Sequence, residues 1–497
     1  MMKYLIVLFL LPTVSFGQLK HDYNIVSGFW NDGEPNYDRV GTLLSFSDDG
    51  LTQDSFGINT IIDTYNGCIS DKNGSLLMYT NGCDIRNAQG QLIHNGDNLN
   101  INSNTWAEDC DREHGYKDGA QRSIFLPYGE DDSLYYLIHQ ASDFINWQTD
   151  SFGIAARHLM CTKIIRSDTG LVAVEKNVEI LGGERMDSGN VTAIPHANRR
   201  NWWVYTRAYE EEKSYRILID DSGVHTMGAV EFGPPIGFND GGSSLFSPDG
   251  SKFIFYEWWH GLHIYDYDRS TGVMTDEKVI QVPVGWDTTS QNILAGRTGT
   301  AMSPNGRFVY ISTALALQQV DLLDGSTVNV GIWDGLQNPN SSAFNQMILG
   351  PDCRLYMCTI GQSKSIHVIN NPDEKGAACN FGQHQIELIY PAGARTFPYF
   401  PHYRVDEQNI CDPTITSVDD TELPLSERPV LSPNPTNDYI QSNEELQRYA
   451  IIDITGQVIA SGVGTDTIDV SSLPSGLYIV NMQKLDGTWW SEKVMVL

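Results

Sequence analysis

A turn motif recurs along most of the chain, and a repeat limits the fold severely, because each unit must bury its faces against its neighbours. Phe246-Ser-Pro-Asp-Gly250-Ser-Lys-Phe-Ile-Phe-Tyr256 is matched by Met302-Ser-Pro-Asn-Gly306-Arg-Phe-Val-Tyr-Ile311 and by Leu349-Gly-Pro-Asp-Cys353-Arg-Leu-Tyr-Met357. Looser copies lie at Ser70–Tyr79, Pro127–Tyr136 and Pro195–Val204. Each reads as a short strand, a Pro/Asp/Asn/Gly turn and a β-rich strand, which is a hairpin signature. The turns fall at 74, 132, 200, 250, 306 and 353, spaced by 47 to 68 residues, and Phe400–Val405 supplies a seventh copy centred on Tyr403. Four-stranded units of this length are propeller blades. Helical repeats would need a sustained 3.6-residue period, which is missing between the turns. The expectation is an all-β chain with a seven-bladed β-propeller over 18–411, six or eight blades being the alternatives. Strands at Asn24–Trp30 and Val40–Phe46 are expected to complete a composite blade begun by Ala394–Val405, which removes the open sheet edge.

The two ends speak of export. Lys3, the apolar run Tyr4–Leu11 and the small residues Ser15 and Gly17 describe a secretory signal peptide over 1–17, cleaved between Gly17 and Gln18. The run is too short for a membrane anchor, and no other segment is long and apolar enough to span a bilayer. The formal net charge of −30 comes from 32 Lys+Arg against 62 Asp+Glu. Nucleic acid is excluded as a partner, since phosphate binding needs a basic surface. The eight cysteines lack C-x-x-C spacing, so disulfides are expected over zinc or thiol redox chemistry. Cys83 with Cys110 and Cys379 with Cys411 are the expected pairs. Cys353 and Cys358, about 16 Å apart along a strand, cannot pair with each other.

Residues 412–429 read as a linker, and 430–497 as short strands of a small Ig-like β-sandwich. Leu431-Ser-Pro-Asn-Pro-Thr436, Asp453-Ile-Thr-Gly-Gln457, Leu473-Pro-Ser-Gly-Leu-Tyr478 and a Lys in the closing strand are similar to the type A sorting domain of the type IX secretion system. That resemblance implies handling by an outer-membrane translocon through 430–497. It also implies removal of the domain and a secreted or cell-surface product, released or attached to lipopolysaccharide. Ile69–Gly82, Phe344–Asp352 and Val368–Asn380 resemble exported WD-like propellers of gliding-type Gram-negative bacteria. This second resemblance implies fold and place, and no chemistry.

Nucleophile elbows, Walker loops, H-E-x-x-H and dinucleotide fingerprints are absent from the sequence, so no catalytic residue, cofactor or metal is assigned. His260-Gly-Leu-His263 would form a metal pair only if a turn fell between the two residues, because i and i+3 on a strand face opposite sides. Three innermost strands begin with an Arg one to three residues after a Gly, in Gly119-Ala-Gln-Arg122, Gly296-Arg297 and Gly393-Ala-Arg395. Converging guanidinium groups at the channel mouth would suit a carboxylate, sulfate or phosphate. The same loop-rich face is expected to carry Trp106, Trp147, Trp258, Trp259, Trp286 and Trp333, with Glu108, Asp109, Asp111, His114, Asp143 and His260. Aromatic platforms beside polar groups stack on sugars or peptide side chains. The expected function is binding of an extracellular glycan or protein ligand. The alternative is a glycan-degrading enzyme, sialidase-like or lyase-like, with its site in the funnel.

Overall fold

The structure, a computed structural model of the chain, describes residues 19–28, 40–47, 50–58, 60–62, 64–110, 115–116, 121–129, 131–144, 154–235, 244–257, 260–282, 299–391, 396–405, 431–452, 458–484 and 489–497. The chain divides into two compact units, Met1–Cys411 and Asp412–Leu497.

The described part of the first unit contains seven antiparallel sheets. The N-terminal sheet is β1 (Asn24–Ser27), β2 (Val40–Ser47) and β3 (Gly50–Gly57), and the next is β4 (Gly67–Ser70), β5 (Leu76–Thr80) and β6 (Ile85–Asn87). A four-residue helix, α1 (Trp106–Asp109), follows. Five four-stranded sheets come after it. They are β7–β10 (Ser123–Tyr128, Leu134–Phe144, Ile154–Ser167, Gly170–Met186) and β11–β14 (Thr192–Pro195, Trp202–Arg207, Lys213–Asp220, Gly223–Glu231). Then come β15–β18 (Ser244–Phe246, Lys252–Glu257, Gly261–Asp268, Val273–Ile280) and β19–β22 (Gly299–Met302, Phe308–Thr313, Ala316–Asp321, Thr327–Ile332). The last is β23–β26 (Phe344–Leu349, Leu355–Thr359, Ser365–Ile369, Phe381–Glu387). First strands such as β11 and β19 are buried throughout, whereas fourth strands such as β18 are mostly exposed. That is why the inner strands read as unbroken apolar runs and the outer ones do not.

The first six repeat copies are the turns between first and second strands. In each, an Asp or Asn side chain accepts the N–H two residues on: Asp71 from Asn73, Asp131 from Ser133, Asn198 from Arg200, Asp249 from Ser251, Asn305 from Arg307 and Asp352 from Arg354. This Asx-turn chemistry is local, so sequence spacing found it.

Apolar clusters between neighbouring sheets close the ring. Ile194 and Tyr205 pack on Phe246 and Tyr267, Ile254 on Met302 and Val309, and Tyr310 on Phe344 and Met357. Tyr356 and Val368 then meet Ile25 and Phe46, and Val26 meets Cys68 and Tyr79. The β4–β6 sheet shares a core with the β7–β10 and β11–β14 sheets. Seven blades therefore form a closed propeller.

The seventh repeat copy is corrected. Thr396–Val405 forms no strand, and β1 lies directly against β4, with the Asn24 amide donating to Ser70 Oγ and to the carbonyl of Gly74. The segment instead runs among the innermost strands. Thr396 Oγ1 donates to the carbonyl of Thr64, and Gln346 Oε1 accepts the Phe397 amide. Tyr399 pairs with Thr192, His402 with the carbonyl of Phe246, and Tyr403 donates to the carbonyl of Phe125. The axis of the ring is thus filled by the protein's own chain. Arg404 ends the segment with two 2.6 Å bonds to the Asp22 carboxylate, joining the last described residues of the propeller to the first.

Cys83 and Cys110 form a disulfide as expected. The second expected pair is corrected, because Cys379 is a free buried thiol and Cys353 is the disulfide-bonded residue. Cys358 is not disulfide-bonded to Cys353, in line with their separation along the strand.

The second unit is one antiparallel sheet of β27 (Leu431–Ser432), β28 (Tyr439–Ile452), β29 (Val458–Asp469), β30 (Gly476–Lys484) and β31 (Trp489–Val496). A parallel bridge from Thr436 to Val496 folds the sheet towards closure around Ile440, Ile451, Ile468, Val480 and Val494. No helix among the described residues is long and apolar enough to cross a membrane.

Candidate functional site

The propeller has a turn face, which carries the Asx turns, and a loop face, which carries the second-to-third-strand loops and the blade connections. Ionic groups on the turn face satisfy one another. Asp321 accepts Arg307 Nη2 at 2.8 Å and Lys375 Nζ at 2.9 Å, and these hydrogen bonds hold its carboxyl well below the usual range.

The loop face differs between the β11–β14 and β15–β18 blades. Arg207 ends β12 and is 1% exposed. Its guanidinium lies 4.4 Å from the Phe255 ring centre and 5.1 Å from that of Phe232, and donates to the carbonyls of Phe232 and Pro234. Burial lowers its pKa to about 10, opposed by the charges of Asp187, Glu257 and Glu277. Arg207 Nε has no hydrogen-bond partner among the described residues.

His263 shares the Phe255 wall, with ring centres 5.9 Å apart. It and Tyr265 occupy one face of β17, two residues apart, and both bond Glu277 Oε1, His263 through Nδ1 at 2.8 Å. A register shift between Ile264 and Asp266, with Asp276 at φ 54°, brings Glu277 opposite them. The Tyr265 and His263 hydrogen bonds hold the Glu277 carboxyl low. Burial lowers the His263 pKa, Glu277 opposes that, and Arg207 and His260 add to it. The imidazole is therefore neutral near pH 7, with its proton on Nδ1 and an acceptor lone pair on Nε2. His263 is 6% exposed and its Nε2 has no partner among the described residues. His260, 45% exposed, closes the solvent edge by bonding Glu257 at 2.6 Å.

His260 is the last residue of the β16–β17 turn and His263 lies on β17, and each histidine is held by its own glutamate. Among the described residues no group of three or more ligating side chains could hold a metal. Connections from the neighbouring blade support the cluster: Asn190 bonds Asp187 and accepts from Ser244, and Gln140 bonds Gly189 and Thr206.

Of the residues expected to bind ligand, Arg122 is buried between the Tyr65 and Tyr116 rings at 5.9 and 5.7 Å, with Nη2 on Ser142 Oγ. Trp106 packs by the Cys83–Cys110 disulfide and donates to the carbonyl of Leu99. Trp333 packs on Ala314, Ala343 and Ile360 and donates to Ser342. All three carry structure at the loop face. Arg297, Arg395, Trp147, Trp258, Trp259 and Trp286 lie outside the described residues, as do Gly17, Gln18, Asp111 and His114. Glu108 is an exposed residue of α1, Asp109 is buried there, and Asp143 is hydrogen-bonded to His158 at 2.8 Å. Sequence reading passed over Arg207, whose available signal was a lone Arg closing the apolar run Trp202–Thr206.

Residues 431–497 match the family model of a secretion system C-terminal sorting domain. The chain thus carries a type IX sorting tail and is delivered to the cell surface or the medium. No curated protein matches the chain in sequence. Among solved structures, the chain is similar to a protein from Lactobacillus plantarum at 12% identity, with 76% of this chain and 99% of that one covered and a TM-score of 0.45. A functionally unknown protein from Desulfotomaculum acetoxidans shows 13% identity, coverage of 74% and 99%, and a TM-score of 0.37. A gluconolactonase from Xanthomonas campestris shows 10% identity, coverage of 69% and 94%, and a TM-score of 0.31. Likeness at this level carries no conclusion about activity.

Proposed function

We propose that this chain is an exported propeller whose loop face binds an extracellular glycan or protein ligand, after removal of a 1–17 signal peptide. The supporting observation is the Arg207–His263 cluster. Arg207 Nε and His263 Nε2 are a donor and an acceptor left without partners among the described residues, at a cost of about 1–3 kcal/mol each, on the face that carries the blade connections. The filled axis favours a ligand that sits on the face rather than one that threads the ring. A second reading, a glycan-degrading enzyme, draws support from the Glu277–His263 dyad, because a carboxylate-held neutral imidazole is able to accept a proton.

The test is a polysaccharide and protein panel offered to the purified full chain and to an Arg307→Gln control on the turn face. Binding retained by the control supports the loop face. If no member of the panel binds, the reading fails. Release of reducing ends or unsaturated products would replace binding with turnover.

A further inference from the structure

We infer that the outer flank of the propeller carries a second site, a cavity between the β7–β10 and β11–β14 blades that takes a neutral hexose unit of a glycan. It lies apart from the Arg207–His263 cluster and stands whether or not the loop-face reading holds. The cavity measures about 370 Å³, within the usual range for small-ligand sites. Tyr136 and Cys161, each 5% exposed, line it from β8 and β9, Val178 and Ile180 from β10, and Val224 from β14 of the next blade.

Strand β10 makes this space. Its pairing with β9 shifts between Ala173 and Glu175, between Glu175 and Val178, and again between Glu179 and Leu181, and such bulges bend a strand. Hydrogen bonds from a neighbouring loop pin the bend. Asn177, at φ 54°, donates to the carbonyl of Asn98 and accepts the Asn100 amide, and Lys176 Nζ donates to the carbonyl of Asp97. On the other side Thr226 Oγ1 donates to the carbonyl of Ile180 and ties the two walls together.

Tyr136 pairs with Lys163, and Lys163 with Glu175, so the three stand side by side across β8, β9 and β10. The Tyr136 hydroxyl has no hydrogen-bond partner among the described residues, and it is not one of the fully enclosed polar atoms. Burial pushes its pKa up to about 12, so at neutral pH it both donates and accepts. The charges around the cavity are already matched. Glu175 faces Lys163 at 3.6 Å, Glu179 holds His158 at 2.6 Å, and Asp220 bonds Ser222 and His225. An ionic ligand therefore has to displace an existing partner, and an anion also meets Glu175 and Glu179. A neutral hydroxyl finds a donor in Lys163 and an acceptor in Glu175 beside the Tyr136 hydroxyl. Val178, Ile180 and Val224 supply an apolar wall for the C–H face of a sugar ring, whose hydroxyls stand on its edge.

The full chain should be titrated calorimetrically with glucose, galactose, mannose and N-acetylglucosamine, then with glycerol and with the uronate and 2-amino forms of any sugar that binds. At least one neutral sugar is expected to bind, tenfold or more tighter than its charged forms and glycerol. Tyr136→Phe removes only the hydroxyl, and Val178→Trp fills the cavity from a half-exposed position. Each should lower that affinity tenfold or more, with thermal unfolding as the check on folding. If one variant fails to fold, the other decides. No binding by any neutral sugar, equal binding of a charged form or of glycerol, or an affinity unchanged in either folded variant would overturn the inference. Sugar binding that ignores both variants leaves the loop-face reading standing, because only the flank site contains Tyr136 and Val178.

Discussion

His139, His367 and His402 sit inside the propeller, and burial lowers their pKa values to about 3, 4 and 4. In the unfolded chain an imidazole titrates near 6.5, so between about pH 6.5 and 4 the unfolded state takes up protons that the folded state refuses. Stability is therefore full above 6.5 and should fall by roughly 1 kcal/mol per histidine for each pH unit below it. Urea unfolding of the full chain at pH 7 and pH 5 measures this, and His139→Asn should flatten the dependence. His158 works in the opposite sense. Burial opposes its charge, but hydrogen bonds to Glu179 and Asp143 outweigh that and raise its pKa, so its contribution is lost as pH rises. At this scale Arg122, read from sequence as a ligand-binding candidate, lies buried between the Tyr65 and Tyr116 rings. The Tyr65 ring that encloses it comes from another blade connection, a partnership that no spacing encodes.

Among the elements, the first-to-second-strand hairpins were the most legible, because the Asx bond, the glycine and the apolar run all lie within a few residues. Their glycines are unequal. Gly306 has φ +71° and open space around it, so Gly306→Ala should cost about 1 kcal/mol from backbone strain alone. Gly250 has φ +69°, but a Cβ there would lie 2.6 Å from Arg269 Cδ and 2.7 Å from Val405 Cγ2. Gly250→Ala should therefore cost clearly more, since it presses on the axial segment as well. Thermal unfolding of the two variants side by side reads the difference. The closing element was only half legible. The N-terminal strands are where expected, but Thr396–Val405 looked like another hairpin because its Pro and aromatic residues imitate a turn and strand.

Across the molecule, the Asp22–Arg404 pair joins the two ends of the propeller chain. Both side chains are nearly buried, so Asp22→Asn leaves a desolvated guanidinium and should cost about 3–5 kcal/mol. Limited proteolysis should then cut the axial segment far faster than in the unaltered protein. An Asp22→Leu/Arg404→Met double variant should recover much of that loss, because paired apolar side chains leave no orphaned charge. Export is a separate property of the second unit. Deletion of 430–497 should retain the protein in the producing cell, as fractionation and immunoblotting would show, and unchanged secretion would contradict the sorting assignment.

What the sequence determined by itself was the blade repeat and the sorting tail. Each of these is written in short-range turn chemistry, strand patterning or a motif whose residues stand in fixed order. The tertiary structure alone decided that the axis is filled, that Cys353 rather than Cys379 is oxidised, and that Arg207, His263 and Glu277 meet. Those outcomes depend on which strands the ring brings side by side and on which polar atoms burial leaves without partners. Both follow from packing across blades, over distances along the chain that local patterning does not reach.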